Sequence, residues 1–66
     1  MPIKKYGDRY INLNFVTSWF YKTYDDGWKG TLVSMLGTGV IAIEGDFTKE
    51  IERDMMAFME SSNKEK

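Results

Sequence analysis

Trp19-Phe20-Tyr21-Lys22-Thr23-Tyr24-Asp25-Asp26-Gly27-Trp28 is the stretch that decides the fold. Five of the chain's ten aromatic residues fall in these ten positions. Side chains of an extended strand alternate between two faces, so neighbouring aromatics cannot all enter one core. Trp19 and Tyr21 share one face, and Phe20 takes the other. Asp25-Asp26-Gly27 is a turn signal, because Gly, and to a lesser degree Asp, accepts the positive φ of a tight hairpin. The stretch therefore reads as the end of one strand, a hairpin turn and the start of the next strand. A small chain has one core, which leaves one aromatic face for another use.

On the N-terminal side, residues 1–8 read as a leader with the turn residues Pro2 and Gly7. Ile11 and Leu13 then alternate with Asn12 and Asn14, the period of a strand over 10–13. After Asn14 the inward set shifts to Val16, Ser18 and Phe20. A slip of one residue reverses the faces, so a bulge or tight turn is expected at Asn14-Phe15, with a longer strand at 15–24. On the C-terminal side, a third strand runs over 28–36 with apolar groups on both faces, as a central strand requires. Gly30 in its middle predicts a bend or an aromatic lying across it. Gly37-Thr38-Gly39 is the next turn. In the fourth strand, 40–44, Ile41 and Ile43 share one face and Val40 and Ala42 the other. Asp46 is a good helix N-cap. Phe47, Ile51, Met55, Phe58 and Met59 then form one apolar stripe at helical period over 46–60. Residues 61–66 read as a frayed polar tail.

The fold class that follows is α+β: a three- to four-stranded antiparallel meander, 9–45, with one C-terminal amphipathic helix packed on one face. The 66 residues form a single small domain. Leu13, Val16, Phe20, Leu32, Ile41, Ile43, Ile51, Met55 and Phe58 are the expected core. Chains this short usually need a staple, and the absence of Cys and His removes disulfides and nearly all zinc sites. Oligomerisation remains as the staple, with a dimer as the first expectation.

Composition narrows the function further. Without His or Cys, the Ser-His-Asp and Cys-His catalytic arrangements cannot form. Glu44, Asp46 and Glu50 are a conceivable cation site, but a solvated carboxylate and a helix cap account for them more simply. Gly37-Thr38-Gly39-Val40-Ile41-Ala42 has the letters of a dinucleotide fingerprint but precedes a strand, not a helix, so it reads as a hairpin turn. No enzyme activity, cofactor or metal is expected. There is no signal-peptide pattern and no apolar run of membrane-spanning length, and cytoplasmic residence is expected. Formal net charge is −1, with a pI near 5.2. Residues 1–34 carry net +2 and residues 35–66 net −3. The acidic pI disfavours nucleic acid as the partner.

Arg9-Tyr10-Ile11-Asn12-Leu13-Asn14-Phe15-Val16 resembles a segment of the LytTR family of bacterial DNA-binding domains. The resemblance implies a strand, a turn, a further strand and a helix in similar order. This chain is shorter than a full domain of that kind. Its Glu44-Gly45-Asp46-Phe47 is acidic where the family would place DNA contacts, so no binding residues carry over.

The function expected from the sequence is a non-enzymatic interaction module that self-associates through an aromatic sheet face or an edge strand. Trp19, Tyr21 and Trp28, with Lys22 and Lys29, are the candidate contact residues, since Trp and Tyr are typical interface anchors. A different protein partner is a further option for the same face. The alternative is a small single-stranded nucleic-acid-binding protein that stacks bases on those aromatics beside the two lysines.

Overall fold

The computed structural model describes residues 2–64, with side chains described through residue 61. Met1 and the end of the expected tail, Glu65-Lys66, lie outside the described residues. β1 (Ile3–Tyr6) and β2 (Arg9–Asn12) form an antiparallel hairpin with Tyr6 opposite Arg9. Its loop is Gly7-Asp8, and Gly7 takes the required positive φ of 63°. Residues 3–6 are thus a strand where a leader was expected. A 3-10 turn over Leu13–Phe15 follows, started by the Asn12 side chain, which accepts the Asn14 N–H at 3.0 Å. This is the tight turn that the change of phase at Asn14-Phe15 demanded.

β3 (Val16–Thr23), β4 (Lys29–Met35) and β5 (Gly39–Glu44) form a second antiparallel sheet in chain order, with β4 central. The five strands therefore split into a two-stranded and a three-stranded sheet, where one meander of three or four was expected. α1 (Thr48–Lys64) starts two residues later and runs further than the stripe over 46–60 suggested, so residues 61–64 are helical rather than a tail. The class is α+β, with the helix packed on one face of the sheet.

The phase of β3 decides which aromatics are buried. Val16 pairs with Met35, but Ser18 pairs with Ser34, so Thr17 is an extra residue in a bulge. From there Trp19 pairs with Val33 and Tyr21 with Thr31, while Phe20 pairs with Leu32. Val33 and Thr31 are fully buried, so the Trp19 and Tyr21 side of β3 faces the helix. The expected inward set of Ser18 and Phe20 is corrected by this one-residue slip. Phe20 and Leu32, both expected in the core, lie on the opposite face, and Phe20 is 47% exposed.

One core fills the space between the three-stranded sheet, the hairpin and the helix. Its buried members are Tyr6, Ile11, Leu13, Val33, Met35, Ile43, Ile51 and Met55, with Val16, Trp19, Ile41, Phe47 and Phe58 packed against it. Ile51 and Met55 carry the helix contribution one turn apart, with Phe58 half-buried beyond them. Met59, expected in the same stripe, is 58% exposed, because it lies about 80° around the helix from Ile51, at the margin of the buried face. Hairpin and helix both lie on the same side of the sheet. A Cβ on Gly7 would stand 3.1 Å from Ile43 Cγ2 and 3.6 Å from the Phe47 ring. That leaves the other side of the sheet uncovered.

Candidate functional site

The uncovered side is ordered in three rows across the strands. Ser18, Ser34 and Val40 form the first, and Phe20, Leu32 and Ala42 the second. In the third, Lys22 pairs with Gly30, whose bridge partner on the other side is Gly45, and Glu44 follows Ala42 on the same face by alternation along β5. The middle row is wholly apolar, and Val40 extends the apolar area at 62% exposure. In the third row, Gly30 has no side chain to fill its place. The indole of Trp28 lies across it: a Cβ on Gly30 would fall on that ring and within 2.6 Å of the Ile43 carbonyl oxygen. This is the aromatic that a glycine in mid-strand called for.

The corner beside it is aromatic, with Lys22 over one ring and the Asp25-Asp26 turn at its end. Tyr24 packs on Trp28 with ring centroids 5.5 Å apart and planes tilted by 58°. Its N–H donates to the Trp28 carbonyl at 2.8 Å, which closes the β3–β4 turn. Gly27 has a φ of 93°, and Asp26 Oδ1 accepts the Trp28 N–H at 3.0 Å, so the Asp-Asp-Gly turn is held by its own side chain. Lys22 Nζ stands 5.0 Å from the Tyr24 ring centroid, a cation–π distance.

The five residues singled out from the sequence are therefore split between two faces. Lys22 and Trp28 lie on the uncovered face. Trp19 is half-buried against the core, and Tyr21 is on the same helix-facing side at its exposed end. Lys29 is exposed and pairs with Thr23 at the end of the strands, on the helix side. Phe20, Tyr24, Leu32, Val40 and Ala42 belong to the uncovered face and were not singled out. Alternation along β4 puts Leu32 on the face of Trp28, against its expected place in the core. The bulge at Thr17 hid Phe20.

On the helix side, the polar groups are engaged in holding the fold. Thr31 is completely buried. Its hydroxyl donates to the Gly45 carbonyl at 2.8 Å and accepts the Phe47 N–H at 2.8 Å. It thus joins β4 to the chain between β5 and α1. The Phe47 carbonyl accepts the first helical bond, from Ile51 N–H at 2.9 Å. Asp46, expected as the cap, accepts both the N–H (3.1 Å) and the hydroxyl (2.7 Å) of Thr48. Those hydrogen bonds hold its carboxyl below the ordinary value.

Tyr6 donates its phenol to Asp54 Oδ2 at 2.6 Å, and Arg53 Nε donates to Asp54 Oδ1 at 3.1 Å. Burial and then the bond to Asp54 push the phenol well above its ordinary 10.0. Burial alone would raise the Asp54 carboxyl. The hydrogen bonds from Tyr6 and Arg53, with the charges of Arg53 and Lys4, outweigh it and leave the carboxyl below 3.8. A groove of about 270 Å³ opens beside this pair, lined by Pro2, Lys4, Leu13, Phe58 and Ser61. Its one carboxylate, Asp54, is already engaged twice.

Among the described residues no three acidic groups stand close enough together to hold a metal ion. No helix among them is long and apolar enough to cross a membrane. Compared with known protein families, with curated proteins and with solved structures, the chain matches none. The eight-residue likeness over 9–16 is thus not accompanied by a family match. Within that segment the structure turns at Leu13–Phe15 and divides it between two sheets.

Proposed function

We propose that this chain is a non-enzymatic interaction module that self-associates through the open face of the three-stranded sheet. The observation that carries this is the continuous uncovered surface of Phe20, Leu32, Val40, Ala42 and the Trp28 indole on the side away from helix and hairpin. A sheet buries a face against another layer, and a second sheet stacks at about 10 Å. A chain with neither Cys nor His lacks the covalent and zinc staples of other small domains, and a second copy can serve in their place. The same cysteine-free composition fits the reducing cytoplasm.

Size sets the strength of the association. Three strands about 4.8 Å apart and seven residues at about 3.4 Å each give a footprint of roughly 340 Å². Stacking two such faces removes at least roughly 700 Å² from water, and side-chain relief adds to that. Stable complexes bury about 1,200 Å² or more. The expected state is a concentration-dependent dimer rather than an obligate one. The face carries one cation, Lys22, and one anion, Glu44. A net charge of zero gives no footprint for a phosphate backbone, which favours a second protein surface over single-stranded nucleic acid.

Light scattering on samples spanning micromolar to near-millimolar concentration tests this. Phe20→Asp places a charge in the middle row and should hold the chain at monomer mass. Tyr10→Asp, on the exposed side of the hairpin, should leave association as it was. An unchanged dimer in Phe20→Asp moves the interface elsewhere, with the exposed edge of β5 as the next candidate. A monomer that binds an oligothymidylate with quenched Trp fluorescence would replace self-association with base stacking.

A further inference from the structure

The open face is not symmetric across its strands, and its asymmetry selects one way for two copies to stack. At one end Lys22 occupies the outer strand β3 and Glu44 the outer strand β5, separated by Gly30 and its covering indole. Two strand spacings place the two side chains on opposite margins, about 10 Å apart. Among the described residues the one salt bridge is Arg53–Asp54, so neither charge is paired among them. The middle row has a matching asymmetry of size, with the phenyl of Phe20 on the β3 margin and the methyl of Ala42 on the β5 margin.

Two sheets stacked face to face with their strands aligned can be related by a two-fold axis either along the strands or across them. An axis along the strands lays β3 over the partner's β5. Lys22 then meets the partner's Glu44 at both margins, Phe20 fills the space over the partner's Ala42, and Leu32 meets the partner's Leu32 near the axis. An axis across the strands lays β3 over the partner's β3. Lys22 then faces the partner's Ser18 and Glu44 faces the partner's Val40, which strips water from both charges without pairing them. It also sets the two Phe20 rings against each other and leaves the small Ala42 side chains facing an unfilled gap. Charge and volume, carried by different residues, favour the same axis.

We infer that two copies of this chain stack their open sheet faces about a two-fold axis parallel to β4, with Lys22 of each facing Glu44 of the other. The inference rests on the proposed self-association and gives it a register. The aligned sheets keep the angle of about 30° that twisted sheets adopt when packed, which brings the two charged margins to the rim. There the ion pairs set orientation more than affinity.

Charge exchange tests it. Lys22→Glu makes both margins of one face acidic, and Glu44→Lys makes both basic. At low salt each variant alone should dimerise about tenfold more weakly than the parent, since two attractions become two repulsions. The double variant should recover the parent's association. An equimolar mixture of the two single variants should form a mixed dimer at least as readily, measured by sedimentation with one partner labelled. Both positions are exposed, so circular dichroism should be unchanged in every variant. Single variants that dimerise like the parent, or a mixture that stays monomeric, overturn the register while leaving self-association in place. A parent chain that is monomeric at every concentration removes self-association and the register together.

Discussion

Replacing Thr31 by Val tests how sheet and helix are joined. The two side chains have nearly the same shape, so the substitution removes the hydroxyl and little else. That hydroxyl makes two buried bonds of 2.8 Å, one to the Gly45 carbonyl and one from the Phe47 N–H. Residue 31 is wholly buried, so water cannot take over its role there without opening the β5–α1 junction. Each backbone group left unpaired costs about 1–3 kcal/mol. Partial relaxation puts the total near 3 kcal/mol, or about 15 °C in Tm for a domain of this size. Thr31→Ser keeps both bonds and loses one methyl, at about 1 kcal/mol and roughly 5 °C. Thermal unfolding followed by circular dichroism, at one fixed protein concentration, compares the three chains. The expected order of stability is parent, then Ser, then Val. A Val variant as stable as the Ser variant would refute the idea that this hydroxyl ties the helix start to the sheet.

Four further outcomes follow from the same structure. The phenol of Tyr6 is held protonated above its ordinary 10.0 in the fold, so the unfolded chain gives up that proton first and stability falls as pH rises past 10. Tyr6→Phe should be less stable by about 2 kcal/mol at neutral pH, having lost a bond to a charged group, and should show a flatter decline between about pH 10 and 12 in urea titrations. An identical alkaline decline in both chains would contradict this. The lowered Asp54 carboxyl acts in the opposite direction: its contribution is present above 3.8 and is lost as pH falls below that, so Asp54→Asn should lessen the acid sensitivity seen by Trp fluorescence. Ile51→Ala should cost about 2–4 kcal/mol by opening a cavity, whereas Met59→Ala should cost under about 0.5 kcal/mol. Equal losses would mean that the helix is rotated from the placement described. Gly30→Ala should displace the Trp28 indole, costing about 1–3 kcal/mol and shifting its emission to the red.

The order of the larger elements was legible because their signals are local. Asp25-Asp26-Gly27, Gly37-Thr38-Gly39 and the stripe from Phe47 to Phe58 each reveal themselves within a few residues. Gly30 was legible for the same reason, since a glycine in a strand asks what lies over it. β1 was missed although Gly7-Asp8 is a two-residue hairpin loop, because Ile3 to Tyr6 carries two lysines and little alternation. The choice of open face depended on a single bulge. Thr17 has no turn chemistry of its own, and its place outside the ladder is visible only from the pairing of Val16 and Ser18 with β4. That one residue moved Phe20 from the expected core to the open face and put Trp19 against the core. Thr31 was beyond reach for a different reason. Its two partners are 14 and 16 residues away, and only the assembled sheet brings them to it.

Sedimentation equilibrium of the unaltered chain, from about 5 μM to 500 μM and at low and high salt, tests self-association most directly. The weight-average mass should rise from that of the 7.7 kDa chain toward twice that value and stop there. High salt should weaken the dimer slightly and not abolish it, because the apolar rows rather than the rim charges hold it. A mass that stays at 7.7 kDa throughout would contradict the account. So would one that climbs past the dimer without limit, since a face-to-face pair about a two-fold axis closes on itself.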